Sequence, residues 1–157
     1  MPQGGRPWHA IYQDGWPDPP TFAETLPALT QVRDDALGLD WSKTVLGGFS
    51  QGGVMSYAVG LGAGRPVPAG ILAMSSFIPR FESNEWEPAF ARRPQLPIAH
   101  VHGVNDPVIP VDFGRDARER IEGAGLPLLY REFPGGHHVD PRLLPELADW
   151  IAQRLSA

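Results

Sequence analysis

The chain has 157 residues, 42% of them hydrophobic and 20% charged, with a formal net charge of -5. That length suits one domain able to bury a core, and the acidic balance argues against nucleic acid or an anionic membrane as the main partner. No cysteine occurs, which excludes disulfides, Cys-ligated zinc and a thiol nucleophile.

No apolar run approaches the length of a membrane span, and the segment from Met1 to Pro7 lacks the apolar core of a signal peptide. A cytoplasmic protein is the default expectation. Residues 1–20 read as an irregular leader, yet Trp8, Ile11, Tyr12 and Trp16 are too apolar for a solvated tail, so it should pack on the body of a single domain spanning 1–157. From Thr21 to Leu37 the apolar residues Phe22, Leu26, Leu29, Val32 and Ala36 recur at helical steps. Thr21 and Glu24 could form a capping box, but Pro27 conflicts with that start. Beginning the helix at Thr25 removes the conflict, and Gly38 ends it.

Strands and helices then alternate. Lys43 to Phe49 reads as a strand, Gln51 to Leu61 as a helix thin enough to lie close to a sheet, and Ala69 to Ser75 as a buried strand. Residues 76–95, with Phe77, Ile78, Phe81, Trp86 and Phe90, form a long irregular excursion whose aromatics suggest a lid or binding loop. Pro97 to His102 is a third strand, and Val111 to Glu122 a charged helix with Phe113, Ala117 and Ile121 inward. Leu128 to Phe133 is a fourth strand. Asp140 caps a last helix with Pro141 at its first position and Leu144, Leu147, Ile151 and Leu155 on the buried face. The pattern predicts an α/β fold, a mostly parallel sheet with helices on both faces.

The chemistry gathers at three strand ends. Gly48-Phe49-Ser50-Gln51-Gly52 has the spacing of a nucleophile elbow, a strand-to-helix turn that presents the serine hydroxyl outward. Asp106 follows the third strand and His137 or His138 the fourth, and open parallel sheets place ligands beyond such ends. In these roles the imidazole takes the Ser50 proton, Asp106 orients the imidazole, and the main-chain N–H of Gln51 faces a tetrahedral oxyanion. Asp112 and Asp116 read as surface residues of the following helix. His100 and His102 share one strand face and read as packed or hydrogen-bonded structural residues. Chemistry alone does not choose between His137 and His138, and with Asp140 they are a weak metal-ligand signal.

Three motifs in order, Gly47-Gly48-Phe49-Ser50-Gln51-Gly52-Gly53, His102-Gly103-x-x-Asp106-Pro107-Val108-Ile109-Pro110 and Gly135-Gly136-His137, resemble the carboxylesterase/phospholipase branch of the α/β hydrolases, which includes acyl-protein thioesterases. The resemblance covers residues 38–157. It implies Ser50, Asp106 and His137 as nucleophile, acid and base, because the family's base directly follows the Gly-Gly pair. It also implies that Phe77 and Val108 lie near the acyl pocket. No metal or organic cofactor is implied, and the expected substrate is a small acyl ester of short to medium chain, cleaved through an acyl-enzyme. A lysophospholipase or thioesterase with the same triad is the alternative.

One departure stands out. Family members begin with a strand ending in His-Gly, whose loop supplies a second oxyanion donor, whereas the His-Gly here, His102-Gly103, belongs to the acid turn. The expected fold is therefore a shortened α/β-hydrolase core: a minimal enzyme, a truncated product, or an oligomer covering an exposed sheet edge. A homo-oligomer is the expectation. A weakly active or non-catalytic remnant that binds an acyl ligand is the remaining alternative.

Overall fold

Four short apolar segments pair side by side into one parallel sheet. The computed structural model describes residues 16–31, 38, 40–81 and 86–156. Its strands are β1 (Val45–Phe49), β2 (Gly70–Met74), β3 (Ile98–Gly103) and β4 (Leu128–Phe133), in the order β1-β2-β3-β4. Every neighbouring pair is parallel, and the register aligns Phe49 with Met74, Met74 with Val101, and Gly103 with Phe133. The turns carrying Ser50, Asp106 and His137 therefore leave the sheet at the same end.

Alternation along the strands sends side chains to two cores. Ile71, Ala73 and Ile98 join a cluster with Phe22 and Leu26 of α1 (Pro19–Gln31), Val54 to Leu61 of α2 (Gln51–Leu61), and Ala117 and Ile121 of α3 (Val111–Gly123). Leu72, Ala99 and Val101 face the other way, against Leu147 and Trp150 of α4 (Leu144–Leu155). Helices thus cover both faces. All six residues of β3 are buried, as a central parallel strand requires. α2 lies close enough to the sheet that a Cβ on Gly60 would sit 2.4 Å from Ile71 Cδ1.

The sequence expectations need correction at three places. α1 starts at Pro19, not Thr25. The Asp18 carboxylate accepts the Thr21 amide at 3.1 Å and the Thr21 hydroxyl at 2.8 Å, which displaces the Thr21–Glu24 capping box. Pro19 and Pro20 fill first-turn positions where a missing N–H costs nothing. Pro27 stays inside the helix, because continuing through it keeps both Phe22 and Leu26 in the core.

The last helix is turned relative to expectation. Asp140 does cap it, accepting from the Arg142 amide at 2.9 Å, but Pro141–Leu143 forms a 3-10 turn before α4 begins. That tighter winding shifts the inward stripe to Leu143, Leu147, Trp150 and Ile151, leaving Leu144 and Leu155 exposed at 51% and 45%. Trp150 fits because β2 offers Gly70, where a Cβ would come within 2.7 Å of the indole.

The excursion over 76–95 is core in its described part, not a lid. Phe77, Ile78 and Trp86 are buried. The Trp86 indole N–H donates to the Ala58 carbonyl at 3.0 Å, the Ala89 amide donates to Leu61 at 2.8 Å, and the Arg93 guanidinium donates to the Gly62 carbonyl. The segment straps the C-terminal end of α2, where helix carbonyls lack intrahelical donors. Trp16 from the leader packs edge-on against Phe77 at 5.1 Å. Trp8, His9, Ile11, Tyr12, residues 32–37 and Leu39 lie outside the described residues. Among the described residues, no helix is long and apolar enough to cross a membrane.

Candidate active site

β1 ends in a turn that forces Ser50 into φ 57°, ψ -124°, a conformation rarely occupied by a residue with a Cβ. Two anchors hold it there. The Ser50 amide continues the sheet ladder by donating to the Met74 carbonyl at 2.8 Å, and the Ser50 carbonyl accepts from Gly53 and Val54 at 3.0 and 3.2 Å as α2 begins. The two elbow glycines are not equivalent. A Cβ on Gly48 would lie 2.1 Å from the Gly52 carbonyl carbon, whereas a Cβ on Gly52 would meet nothing within 4 Å. Gly48 is the position that makes room, and Gly52 is the backbone it makes room for.

The acid and base turns are built against each other. A Cβ on Gly103 would fall 2.3 Å from the Gly136 carbonyl oxygen and 2.5 Å from that of Gly135. Across this contact the Val104 amide donates to Phe133 and the Asn105 amide to Gly135, each at 2.9 Å. The Asp106 side chain, fully buried, turns back on its own backbone. Its Oδ1 accepts from the amides of Val108 at 2.8 Å and Ile109 at 2.9 Å.

These turns bring three predicted residues into one line. The His137 Nδ1–H donates to Asp106 Oδ2 at 2.7 Å, and the Ser50 hydroxyl donates to His137 Nε2 at 3.1 Å. The Phe49 ring lies 4.6 Å from the imidazole and braces it from β1. Burial alone would raise the Asp106 pKa, but hydrogen bonds from His137, Ile109 and Val108 outweigh it and hold the carboxyl below its ordinary value. The Asp106 carboxyl is thus charged at neutral pH beside the imidazole it faces.

The other candidates fall where their chemistry suggests. Gln51 opens α2, where the first-turn amides point out of the helix toward the Ser50 side. Val108 is 63% exposed in the turn that follows Asp106, while Phe77 is buried against Trp16 and Phe113. His138 lies against the Phe133 ring, away from the line of three. Asp112 and Asp116 pair with arginines on α3 and with Arg80. His100 and His102 are buried and hydrogen-bonded to each other at 3.2 Å. Sequence reasoning missed the amides of Val108 and Ile109, for which Asp106-Pro107 was the available signal, since Asp before such a turn commonly bonds its own following backbone. Among the described residues, no group of His, Asp and Glu is arranged to hold a metal.

The profile of the phospholipase/carboxylesterase family of hydrolases matches residues 21–155. The chain belongs to that family. Acyl-protein thioesterase 1 of Gibberella zeae is 34% identical over 121 residues, covering 75% of this chain and 51% of that protein. The chain spans about half the length of that curated relative. Among solved structures, Arabidopsis thaliana SOBER1 is 25% identical with a TM-score of 0.72, covering 92% of this chain and 70% of that one. A Bacillus cereus carboxylesterase, at 16% identity and a TM-score of 0.75, covers 93% of this chain and 68% of its own, and shares the fold. The sheet and its helices are an α/β-hydrolase core.

Proposed function

We propose that this chain is a serine hydrolase of acyl esters, with Ser50 as nucleophile, His137 as base and Asp106 as the acid that orients it. The observation that carries the reading is His137 bridging the two others, at 3.1 Å to Ser50 and 2.7 Å to Asp106. Ser50 Oγ attacks the acyl carbonyl while its proton passes to His137 Nε2. Asp106 stabilises the imidazolium, and the Gln51 amide faces the oxyanion. Collapse breaks the ester bond, and the leaving alcohol takes the proton from His137. Water, deprotonated by His137, then attacks the acyl-Ser50, and collapse of that intermediate breaks the acyl–Oγ bond, releasing the carboxylic acid while His137 returns the proton to Ser50 Oγ. No cofactor enters this sequence.

Short to medium carboxylic esters are the proposed substrates, with Phe77 and Val108 proposed at the margin of the acyl site. A thioester reading is favoured by the thioesterase names of the similar proteins, and a lysophospholipid reading by the phospholipase in the family's description. A chain-length series of oxygen esters against matched thioesters separates the two. Ser50→Ala should abolish both hydrolysis of a short p-nitrophenyl ester and covalent capture by a fluorophosphonate, with the thermal unfolding transition preserved. Undiminished turnover in that variant would sink the assignment. Capture of the native chain without turnover would instead favour an acyl-binding remnant, since a lost oxyanion donor costs about 10²–10³ in rate.

β1 lies at the end of the strand order and has no partner strand on its outer side among the described residues. An open edge of this kind invites pairing. The proposed state is therefore a homo-oligomer in which a second copy covers that edge, and light scattering after size exclusion should give at least twice the mass of one chain. A clean monomer across a wide concentration range would overturn it.

A further inference from the structure

His102 is fully buried beside the triad and takes part in no step of the proposed reaction. Its Nε2 lies 2.8 Å from the Ile109 carbonyl oxygen and 3.8 Å from Asp106 Oδ2. A carbonyl only accepts, so neutral His102 carries its proton on Nε2 and leaves Nδ1 bare. His100 Nε2, 3.2 Å from that Nδ1, must then be the donor. His100 Nδ1 is left to accept from the Tyr57 hydroxyl at 2.8 Å. Donation can run in one direction: Tyr57 to His100, His100 to His102, His102 to Ile109. Reversal would set a bare Nε2 against the carbonyl lone pairs.

The surroundings keep this chain neutral and fixed. Burial pushes the Tyr57 hydroxyl far above its ordinary range and holds His102 below 6.5, and burial together with His102 brings His100 down to about 3. α3 offers Gly114 at the pair, where a Cβ would fall 2.5 Å from His102 Nδ1 and 3.0 Å from His100 Nε2. The Tyr130 ring of β4 stacks on His100 at 5.6 Å. A fully satisfied buried network of this kind rigidifies what it touches.

What it touches is the acid turn. The Ile109 peptide whose carbonyl His102 holds is next to the peptide groups that donate to Asp106 Oδ1, the Ile109 N–H at 2.9 Å and the Val108 N–H at 2.8 Å. We propose that His102, oriented by Tyr57 and His100, is a positioning residue for Asp106: it pins Ile109, and the pinned turn aims the carboxylate at His137. The inference rests on the triad reading and deepens it.

The test measures p-nitrophenyl butyrate hydrolysis and the rate of fluorophosphonate capture in single and double variants. His102→Leu removes the donor and should lower kcat and the capture rate about 10- to 100-fold with KM changed less than about twofold, the signature of an interaction needed in the transition state. His102→Gln places an amide N–H close to the lost Nε2–H and should recover most of that loss. Tyr57→Phe removes the hydroxyl that satisfies His100 Nδ1 and holds its ring, and should slow both rates about 3- to 10-fold. In the His102→Leu background it should have no further effect, because it acts through His102. Wild-type rates in folded His102→Leu, equal losses in the Gln and Leu variants, or additive losses in the double variant would each overturn the proposal. Should the Leu variant not fold, Tyr57→Phe decides, and an unchanged capture rate in that variant overturns it. Ser50→Ala run alongside keeps the two readings apart. Turnover in Ser50→Ala sinks the triad, whereas a dead Ser50→Ala beside a fully active His102→Leu sinks only the positioning role.

Discussion

Replacing Asp106 by asparagine should disable the base while leaving the fold in place, and the structure says which way the new amide must turn. Asp106 Oδ1 accepts from two main-chain N–H groups, at 2.8 and 2.9 Å, so the asparagine oxygen has to take that position. The amide nitrogen is then forced into the place of Oδ2, 2.7 Å from His137 Nδ1. Two N–H donors cannot face each other, so His137 moves its proton to Nε2 and presents a donor to Ser50 where an acceptor is needed. Switching the tautomer in this way costs about 10⁴ in kcat for a serine triad, which is about 5.4 kcal/mol of transition-state stabilisation. Both backbone bonds survive, so the cost in stability should stay near 1 kcal/mol, the scale of exchanging one charged for one neutral acceptor. Steady-state ester hydrolysis and denaturant unfolding measure the two quantities separately. Activity within tenfold of the native chain, in a variant with native stability, would refute the assignment of Asp106 and the direction of the Asp106–His137 bond together.

Two further outcomes follow from the same geometry. Gly48→Ala should lose about 3 kcal/mol or more, because its Cβ would overlap the backbone of Gly52 at 2.1 Å, while Gly52→Ala should be neutral or stabilising by up to about 1 kcal/mol; unfolding midpoints compare them, and equal losses would contradict the packing described. Stability should also fall with acidification. His100 has a folded pKa of about 3 against an ordinary 6.5, so between those values the unfolded chain binds the proton and the native chain does not, and stability drops by about 1.4 kcal/mol per pH unit as pH falls through that window. The Asp106 contribution is kept at these pH values and is lost only lower, as pH falls through its depressed pKa. An unfolding free energy that stays flat from about pH 7 to about pH 4 would contradict the buried neutral histidine.

Much of this was legible in the chain itself, where local pattern and tertiary demand agree. β4 and α2 begin and end where alternation and the elbow placed them, at Leu128–Phe133 and Gln51–Leu61. The Ser50, Asp106 and His137 turns could be located because each ends an apolar strand in a Gly-rich stretch. What escaped was decided by neighbours. The start of α1 was misplaced because Pro27 argued for beginning at Thr25, whereas Asp18 caps a first turn of Pro19 and Pro20 and the helix runs on through Pro27. The buried face of α4 depended on a 3-10 turn whose extra twist no periodicity reveals. The aromatics of 76–95 gave the right composition for a binding loop, but Trp86 and Phe77 are used to close the core over α2. His100 and His102 were readable as packed residues. That their protons run in a fixed direction needed Tyr57 and Ile109, distant in sequence, to be seen on either side.

The bonding between the acid and base turns divides the mechanical labour of the site. Asn105 and Val104 hold Gly135 and Phe133 directly, and Gly103 lets the two backbones touch, so the Asp106 and His137 turns are tied to each other and to β3 and β4. Ser50 belongs to another piece, the β1–α2 corner, tied to β2 through the Met74 carbonyl. The 3.1 Å hydrogen bond from Ser50 to His137 therefore joins, at the side-chain level, two corners that the β2–β3 ladder joins through the sheet. A displacement of β2 against β3 should therefore alter the Ser50–His137 contact while leaving the Asp106–His137 pair intact.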